Sequence, residues 1–207
     1  SVKLACQALK ELISVHPYPH DFDRALILKD RYGAGGASIY KFAPDAYRAI
    51  AKTIATSPHL SFILQPLLRF DRGFKYRNKF VSSDIRLIYL QGQIISSYLR
   101  IAQSGDFRCN QHQGGSLVYL NPKSLPQSVI AQSQTIATLL NKNSSLFTLD
   151  FLLSNSGHAY LLEGNTGPGL NWDPSDLVDQ REAQSLIKQI VQVLARRLKS
   201  PPLSPHS

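Results

Sequence analysis

Oxygen-bearing side chains interrupt or follow two apolar stretches in the C-terminal half of the chain. Glu163 and Asn165 come just after the apolar residues "YLL", two positions apart, so both side chains leave the same face of a strand. Asp150 stands inside "LFTLDFLL", where an unpaired carboxylate would be costly to bury. If the two stretches pair through the turn "SNSG", the three side chains converge. Three oxygen donors without histidine or thiolate suit a hard cation such as Mg²⁺ or Mn²⁺, and a buried acid paired with an arginine is the alternative.

A lysine precedes a glycine-rich segment nearer the N-terminus. Lys29 ends the apolar run "RALILK", and residues 33–36 read "GAGG". The backbone N–H groups of such a loop can lie against phosphate oxygens, with the lysine reaching over the same hairpin. The segment does not fit a P-loop, because no Gly-Lys-Ser/Thr follows the glycines and no helix begins there. A plain hairpin turn with a surface lysine is the alternative interpretation.

Three arginines fall within two predicted strands and the loop that follows them. These residues are Arg86, Arg100 and Arg108, and Asp84 shares a strand face with Arg86. Arginine is planar, always charged and bidentate, which suits a phosphoryl group in transfer. Each arginine taken singly is typical of a solvated surface. Together with a metal site, they would form an electrostatic clamp.

The apolar patterning predicts the elements that position these residues. Helices are predicted over residues 3–14, 45–56 and 124–141, and a last helix is predicted to begin with Asp173 as its cap and Pro174 in its first turn. The predicted strands are, in chain order, "RALILKD", "SIYKF", "LSFILQPLL", "DIRLIYL", "IISSYLRIA", "LFTLDFLL" and "AYLLEGN". The expected fold class is therefore α+β, dominated by antiparallel hairpins.

Composition narrows the class of protein. The chain has 207 residues, of which 43% are hydrophobic and 18% charged, and no apolar run approaches the roughly 20 residues that cross a bilayer. The net charge of +9 suggests an anionic partner: nucleic acid, a phosphate-bearing ligand or an acidic peptide. Cys6 and Cys109 show no metal or disulfide spacing, which favours a cytoplasmic location. Methionine is absent even at position 1, so a fragment or a trimmed N-terminus is expected.

These pieces, in this order, resemble the ATP-grasp superfamily, and most closely its RimK-like branch of α-L-glutamate ligases. The similarity extends from about residue 20 to about residue 175. It is carried by "DIRLIYLQGQIISSYLRIAQSGDFRCNQHQGG", which looks like the family's DIR…R…GDFRxN…GG segment, and by "LDFLL" with "YLLEGNTGPG", which resemble its metal-binding strands. Asp30, Ser38, Pro66 and Gly164 depart from the family pattern.

The resemblance implies an ATP-grasp fold, with two α/β lobes of mostly antiparallel sheet and the nucleotide between them. Residues 1–64 would form the small lobe with the glycine-rich loop, residues 65–199 the large lobe with the metal site, and residues 200–207 a disordered tail. The family's N-terminal domain has no counterpart in the chain, and whether the chain is active alone is left open.

The resemblance also implies roles for individual residues. Residues 33–36 would form a mobile loop over the phosphates of ATP, and residues 65–67 would line the adenine pocket. The metal would be Mg²⁺ or Mn²⁺, as two ions, and its implied ligands are Asp150, Glu163 and Asn165. The implied catalytic residues are Arg86 and Arg100. The implied ATP-binding residues are Lys29, Gly33, Gly35, Gly36, Gln65, Pro66, Leu67, Asp84, Arg108, Cys109 and Asn110.

The expected function is ATP-dependent ligation of a carboxylate to an amine through an acyl phosphate, with addition of glutamate or another amino acid as one form. The expected substrates are small molecules or peptides. A module that binds nucleotide or a partner without turnover is the alternative. Binding of nucleic acid through net charge is a third and weaker hypothesis, and a membrane is not expected. The identity of the acid and the amine, single or repeated addition, and assembly into homo-oligomers are left open.

Overall fold

The computed structural model of the chain describes residues 1–33, 35–140, 146–170 and 172–199. The helices in these residues are α1 (Val2–Ser14), α2 (Tyr47–Thr56), α3 (Gln127–Leu140) and α4 (Leu177–Lys199). The strands are β1 (Phe22–Asp30), β2 (Ile39–Phe42), β3 (Phe62–Leu68), β4 (Phe74–Tyr76), β5 (Lys79–Val81), β6 (Ser83–Leu90), β7 (Gln93–Ile101), β8 (Ser116–Tyr119), β9 (Leu146–Leu153) and β10 (Ala159–Asn165). This content confirms the predicted α+β class.

The strands form three sheets, whose orders are β2-β1-β3, β10-β9-β6-β7-β8 and β4-β5. Contacts between residues divide the chain into two compact units. The first contains Ser1–Ile85, Leu99–Val118 and Phe151–Leu161, and the second contains Arg86–Tyr98, Tyr119–Asp150 and Leu162–Ser207. The boundary that the sequence predicted between residues 64 and 65 falls within β3, and the predicted disordered tail at 200–207 lies outside the described residues. No helix in the described part of the chain is long and apolar enough to span a bilayer.

Strand β1 organises the first unit because both of its faces are covered. Leu26 and Leu28 pack with Cys6 and Ile50, which come from α1 and α2. On the opposite face of β1, Ala25 and Ile27 pack in a second cluster, whose other members are Leu67, Leu68, Phe70 and Cys109. A strand buried on both faces is continuously apolar instead of alternating, which explains the run "ALIL". Each fully buried side chain of this kind contributes about 1.5–3 kcal/mol.

The two flanking strands pair with β1 in antiparallel register. Leu26 lies opposite Phe42 in β2 and opposite Pro66 in β3, and Lys29 lies opposite Ile39 and Ile63. The predicted hairpin around the glycine-rich segment is therefore confirmed.

The second unit has its own core behind the strands. Tyr89 stacks on Phe147 with ring centroids 4.9 Å apart, and its hydroxyl donates to Ser133 Oγ on α3 at 2.8 Å. Burial raises the pKa of Tyr89, so the phenol stays protonated and can donate this bond.

Three local predictions differ from the structure. Helix α4 begins at Leu177, and Asp176, not Asp173, caps it by accepting from the N–H groups of Val178 and Asp179 at 2.8 and 3.1 Å. Asp173 instead accepts hydrogen bonds from Ser175. Helix α3 begins at residue 127 instead of 124. Strand β8 and the β4–β5 hairpin were not predicted, because strands of only three or four residues are too short to show a clear apolar alternation.

A buried carboxylate fastens the turn before β1 to the β9–β10 turn. Asp21 is 4% exposed and accepts hydrogen bonds from the hydroxyls of Ser156 and Tyr160 and from His158 Nδ1, the last two at 2.7 and 2.8 Å. Tyr18 stacks on the imidazole of His158 at 3.6 Å between ring centroids. Burial by itself would raise the pKa of Asp21, but these hydrogen bonds outweigh it and hold the pKa below its usual value.

We expect Asp21→Asn to lower the free energy of unfolding at neutral pH by about 1–3 kcal/mol, because the donors around residue 21 lose a charged acceptor. The pKa of Asp21 is lower in the folded state, so its contribution is complete above the unfolded pKa of about 3.9 and is lost as pH falls further. Urea denaturation across this range should show the difference between wild type and variant shrinking toward low pH. The exposed Glu11→Gln serves as control, and a difference that does not change with pH would contradict the prediction.

Candidate active site

Arg86 and Asp150 form a bidentate ion pair in the second unit. Asp150 is fully buried in β9, and its two carboxylate oxygens accept from Arg86 Nε at 2.7 Å and Nη2 at 2.6 Å. Arg86 Nη2 also lies 3.9 Å from Glu163 Oε1 in β10. One guanidinium therefore faces two of the three residues that the sequence predicted as metal ligands. This arrangement partly matches the alternative interpretation of Asp150, a buried acid paired with an arginine.

The strand geometry puts Glu163 and Asn165 on the same side of the sheet as Asp150. A Cβ built on Gly164 would lie 3.4 Å from Leu149 Cδ2, so Gly164 faces the side of Leu149. Its two neighbours point the other way, as Asp150 does, because side chains alternate along a strand. Asn165 Nδ2 donates to Glu163 Oε1 at 3.2 Å. The predicted convergence of the three residues is thus consistent with the hairpin.

The chemistry of this group fits a hard divalent cation. Two carboxylates and one amide oxygen are the donors that Mg²⁺ and Mn²⁺ prefer. A carboxylate oxygen has two lone pairs, so it can accept from an arginine and bind a cation at the same time. No three or more His, Cys, Asp or Glu side chains are grouped to hold a metal in the part of the chain that the structure describes. The present group has two acids and an amide.

Asp84 and Arg100 form a second bidentate pair, in the first unit. Arg100 Nε and Nη2 donate to the two oxygens of Asp84 at 2.7 and 2.9 Å, and the residues are 7% and 3% exposed. Two charges this deeply buried are tolerated because each satisfies the other with two hydrogen bonds. The structure therefore gives Arg100 a structural partner, and its role toward a phosphoryl group remains a prediction.

The glycine-rich loop contacts the segment that holds Asn110. Gly35 and Gly36 have positive φ angles of 65° and 78°, which favour glycine. A Cβ on Gly36 would lie 2.7 Å from Asn110 Oδ1, and Gln113 Nε2 donates to Gly35 O at 3.4 Å. Two of the predicted ATP-binding segments, far apart in sequence, thus lie side by side. Gly33 precedes them, with its N–H donating to Asp30 O at 3.3 Å.

Lys29 in β1 and residues 65–67 in β3 lie in the same sheet. Lys29 shares a face of β1 with Ala25 and Ile27, because it follows them at alternate positions. Gln65 and Pro66 are half-buried in β3, and Leu67 is buried in the cluster that contains Cys109. The residues that were predicted to line the adenine pocket thus lie in β3, which pairs with β1.

The segment around Arg108 is held by its own ion pair. Arg108 Nη2 lies 2.8 Å from Asp106 Oδ2, and the Arg108 guanidinium lowers the pKa of Asp106. Burial, with the nearby Asp84 carboxylate, raises the pKa of Cys109 to about 12. The thiol therefore stays protonated at neutral pH and is no nucleophile.

A cavity of about 930 Å³ in the first unit includes residues that the sequence did not single out. Leu67 and Arg108 line it, as predicted for ATP-binding residues. Lys41 and Arg69 also line it, and Lys41 Nζ lies 5.9 Å from the centre of the Phe107 ring. Lysine and arginine at such positions can meet anionic groups, but no spacing in the sequence distinguishes them from surface residues.

Two solved structures of synthetases share the fold of this chain. D-alanyl-alanine synthetase A from Vibrio cholerae superposes with a TM-score of 0.54 at 16% identity, covering 94% of this chain and 56% of that one. D-cycloserine synthetase superposes with a TM-score of 0.53 at 16% identity, covering 89% and 61%. The likeness to these two proteins is one of fold.

The chain belongs to the RimK-like ATP-grasp domain family, whose family model matches residues 12–190. Two curated relatives are called probable alpha-L-glutamate ligases. The protein from Maridesulfovibrio salexigens is 36% identical over 88 residues, which cover 42% of this chain and 27% of the relative. The one from Shewanella denitrificans is 30% identical over 120 residues, which cover 57% and 37%. The matched region thus spans between about a quarter and two fifths of those relatives' lengths.

We expect Arg100→Ala to lower the free energy of unfolding by about 3–5 kcal/mol, because Asp84 would stay buried without its partner. Arg100→Lys should recover only part of the loss, since lysine lacks the guanidinium fork. Arg108→Ala is the matched control, because its ion pair is more exposed (32% and 21%) and should contribute at most about 1 kcal/mol. Chemical denaturation measures all three variants, and similar losses for Arg100→Ala and Arg108→Ala would contradict the prediction.

Proposed function

We propose that the chain is the catalytic ATP-grasp portion of a carboxylate–amine ligase that forms an amide bond with consumption of ATP. The observation that carries the proposal is the group of Arg86, Asp150, Glu163 and Asn165. The family and the names of the curated relatives support the same reaction class.

The proposed reaction has two steps. A carboxylate oxygen of one substrate attacks the γ-phosphorus of ATP, the bond from that phosphorus to the bridging oxygen breaks, and ADP leaves. The amine nitrogen of the second substrate then attacks the acyl carbon, the bond to phosphate breaks, and the nitrogen loses a proton. The protein contributes mainly orientation and neutralisation of charge, as in other phosphoryl transfers. No protein nucleophile is required, which agrees with the protonated Cys109.

The residues of the chain have distinct proposed roles. Lys29 and the loop at 33–36 hold the phosphates, residues 65–67 hold the adenine, and Asp84 lies near the nucleotide. Arg108, Cys109 and Asn110 contact ATP or the acyl phosphate. Arg86 holds Asp150 in place and reduces the repulsion between Asp150 and Glu163. Arg100 is proposed to stabilise the phosphoryl group in transfer.

Asp150, Glu163 and Asn165 would hold Mg²⁺ or Mn²⁺, proposed as two ions. The metal would supply neutralisation of the phosphate charge when ATP is bound. The proposed substrates are small-molecule or peptide acids and amines, and the proposed location is the cytoplasm.

A second candidate function is a module that binds nucleotide without turnover. The observation that favours it is that Arg86 and Arg100 each donate two hydrogen bonds to a carboxylate. Arginines held in this way are structural in many proteins. Release of ADP that depends on an acceptor acid would exclude this alternative.

We expect saturating Mg-ATP to raise the melting temperature of the chain, because a ligand that binds only the folded state stabilises it by mass action. At a concentration of about 100 times Kd, the stabilisation is about 2.7 kcal/mol. Differential scanning fluorimetry checks this, with Mg²⁺ alone and Mg-GTP as controls. An unchanged melting temperature in Mg-ATP would contradict an intact nucleotide site.

We expect Glu163→Gln to reduce ADP release by a factor of about 10² or more, since the substitution keeps the size but removes one negative charge from the proposed metal shell. The melting temperature without ligand should change little, because Glu163 is partly exposed. Glu11→Gln on α1 is the control for loss of one charge. Near-normal turnover at saturating Mg²⁺ would show that Glu163 is structural.

A further inference from the structure

The β4–β5 hairpin and the residues before it form a strongly basic segment, called here the cationic hairpin (residues 72–81). Its sequence "RGFKYRNKFV" contains four basic residues and no acidic one. Arg72, Lys75, Arg77 and Lys79 are all exposed. Among the residues that the structure describes, none of the four forms an ion pair with a carboxylate. The segment therefore presents unneutralised positive charge to solvent.

Two basic side chains lie next to an exposed aromatic ring in the hairpin. Lys75 lies directly opposite Phe80, so the two side chains share one face of the hairpin. The Arg72 guanidinium lies over the Phe80 ring, 5.3 Å from its centre. Phe80 is nevertheless 52% exposed. An exposed phenylalanine next to an arginine and a lysine is more typical of a binding surface than of a solvated turn.

The hairpin is anchored firmly at its base. A Cβ on Gly73 would lie only 1.7 Å from Leu153 O, so only glycine allows this close approach to β9. Arg72 N donates to Asn155 Oδ1 at 2.8 Å, and Asn155 N donates to Arg69 O at 2.8 Å. At the other end, Arg77 and Asn78 take positive φ angles of 46° and 64°, which suit a two-residue hairpin turn. A partner would meet a surface already ordered, which reduces the entropy lost on binding.

The cationic hairpin also adjoins the cavity in the first unit. Arg69, Phe70 and Asp71 lead into it, Ser82 follows it, and all four line the 930 Å³ cavity. Asp71 accepts from Asn155 Nδ2 at 2.9 Å, so this nearby carboxylate has a hydrogen-bond partner at the base of the hairpin. A chain bound along the hairpin could therefore extend into the cavity.

We propose that the cationic hairpin is a docking site for an acidic segment of a polypeptide, whose end enters the adjoining cavity as a ligase substrate. The docking follows from charge complementarity with the four basic residues and from apolar contact with Phe80. The statement that the docked polypeptide is a substrate rests on the proposed ligase function. Nucleic acid is a poorer match, because Arg72 and Arg77 lie over the rings of Phe80 and Tyr76 and leave less of each ring for a base to stack on.

The test measures fluorescence anisotropy of a labelled peptide that repeats Asp-Glu-Ser, added to the full chain without ATP. We expect saturable binding that weakens as salt is raised, because exposed charges are screened. The double variant Lys75→Glu/Lys79→Glu should bind at least about tenfold more weakly. Phe80→Ala should also weaken binding, with less dependence on salt.

The control is the double variant Lys3→Glu/Lys52→Glu, which changes two exposed lysines on α1 and α2 and gives the same net charge. Its affinity should stay within about twofold of wild type. The melting temperature of each variant verifies folding. Equal losses in both double variants would overturn the proposal, because binding would then follow net charge alone. Equal affinity for the neutral repeat Asn-Gln-Ser, tighter binding of an oligo-dT strand, or no binding of the acidic peptide would also overturn it.

Docking and the proposed function can fail separately. Peptide binding is measured without nucleotide, whereas the ligase function is tested by Mg-ATP stabilisation and ADP release. Peptide binding without either of these would contradict the ligase and leave the docking site standing. Stabilisation by Mg-ATP with no peptide binding would contradict the docking site alone.

Discussion

The ion pair between Arg86 and Asp150 is the interaction on which the candidate site depends. Asp150 is fully buried, and a carboxylate there is tolerable only because a guanidinium supplies two hydrogen bonds and a positive charge. The same guanidinium lies 3.9 Å from Glu163. Arg86 thus allows two acids to lie close together, which is the condition for presenting them to a cation.

A second buried ion pair lies in the first unit, where Asp84 and Arg100 are both almost fully buried. Replacing such a pair with apolar residues often leaves stability unchanged or improves it, so pairing alone does not account for its presence. A fixed geometry is what the pair contributes, because two parallel hydrogen bonds hold both side chains in one orientation. The contrast is Arg108 with Asp106, a more exposed pair between residues two positions apart, which orders one loop.

Two glycines allow close backbone approaches in the first unit. Gly36 lets its loop lie against Asn110, and Gly73 lets the base of the cationic hairpin lie against Leu153. Gly164 serves differently, since a side chain there would lie 3.4 Å from Leu149 on the face away from Glu163. The loop and the hairpin thus each rely on a position with no room for a side chain beside the backbone, whereas a Cβ at Gly164 would make only ordinary contact with Leu149.

Local order was determined by the sequence. Apolar runs such as "RALILK" and "YLL" predicted the strands and the hairpins. The two-residue spacing of Glu163 and Asn165 predicted their shared face, because side-chain direction depends only on the strand period. The sequence did not show which of two nearby aspartates caps α4. Asp173 was predicted as the cap, and Asp176 is the residue that accepts from the first N–H groups of the helix. The choice of partners was decided by the tertiary structure alone. Arg86 and Asp150 lie 64 positions apart. A buried charge is costly unless an opposite charge pairs with it, and which charges are buried together depends on the packing of the whole fold. No spacing in the sequence therefore indicates this pair.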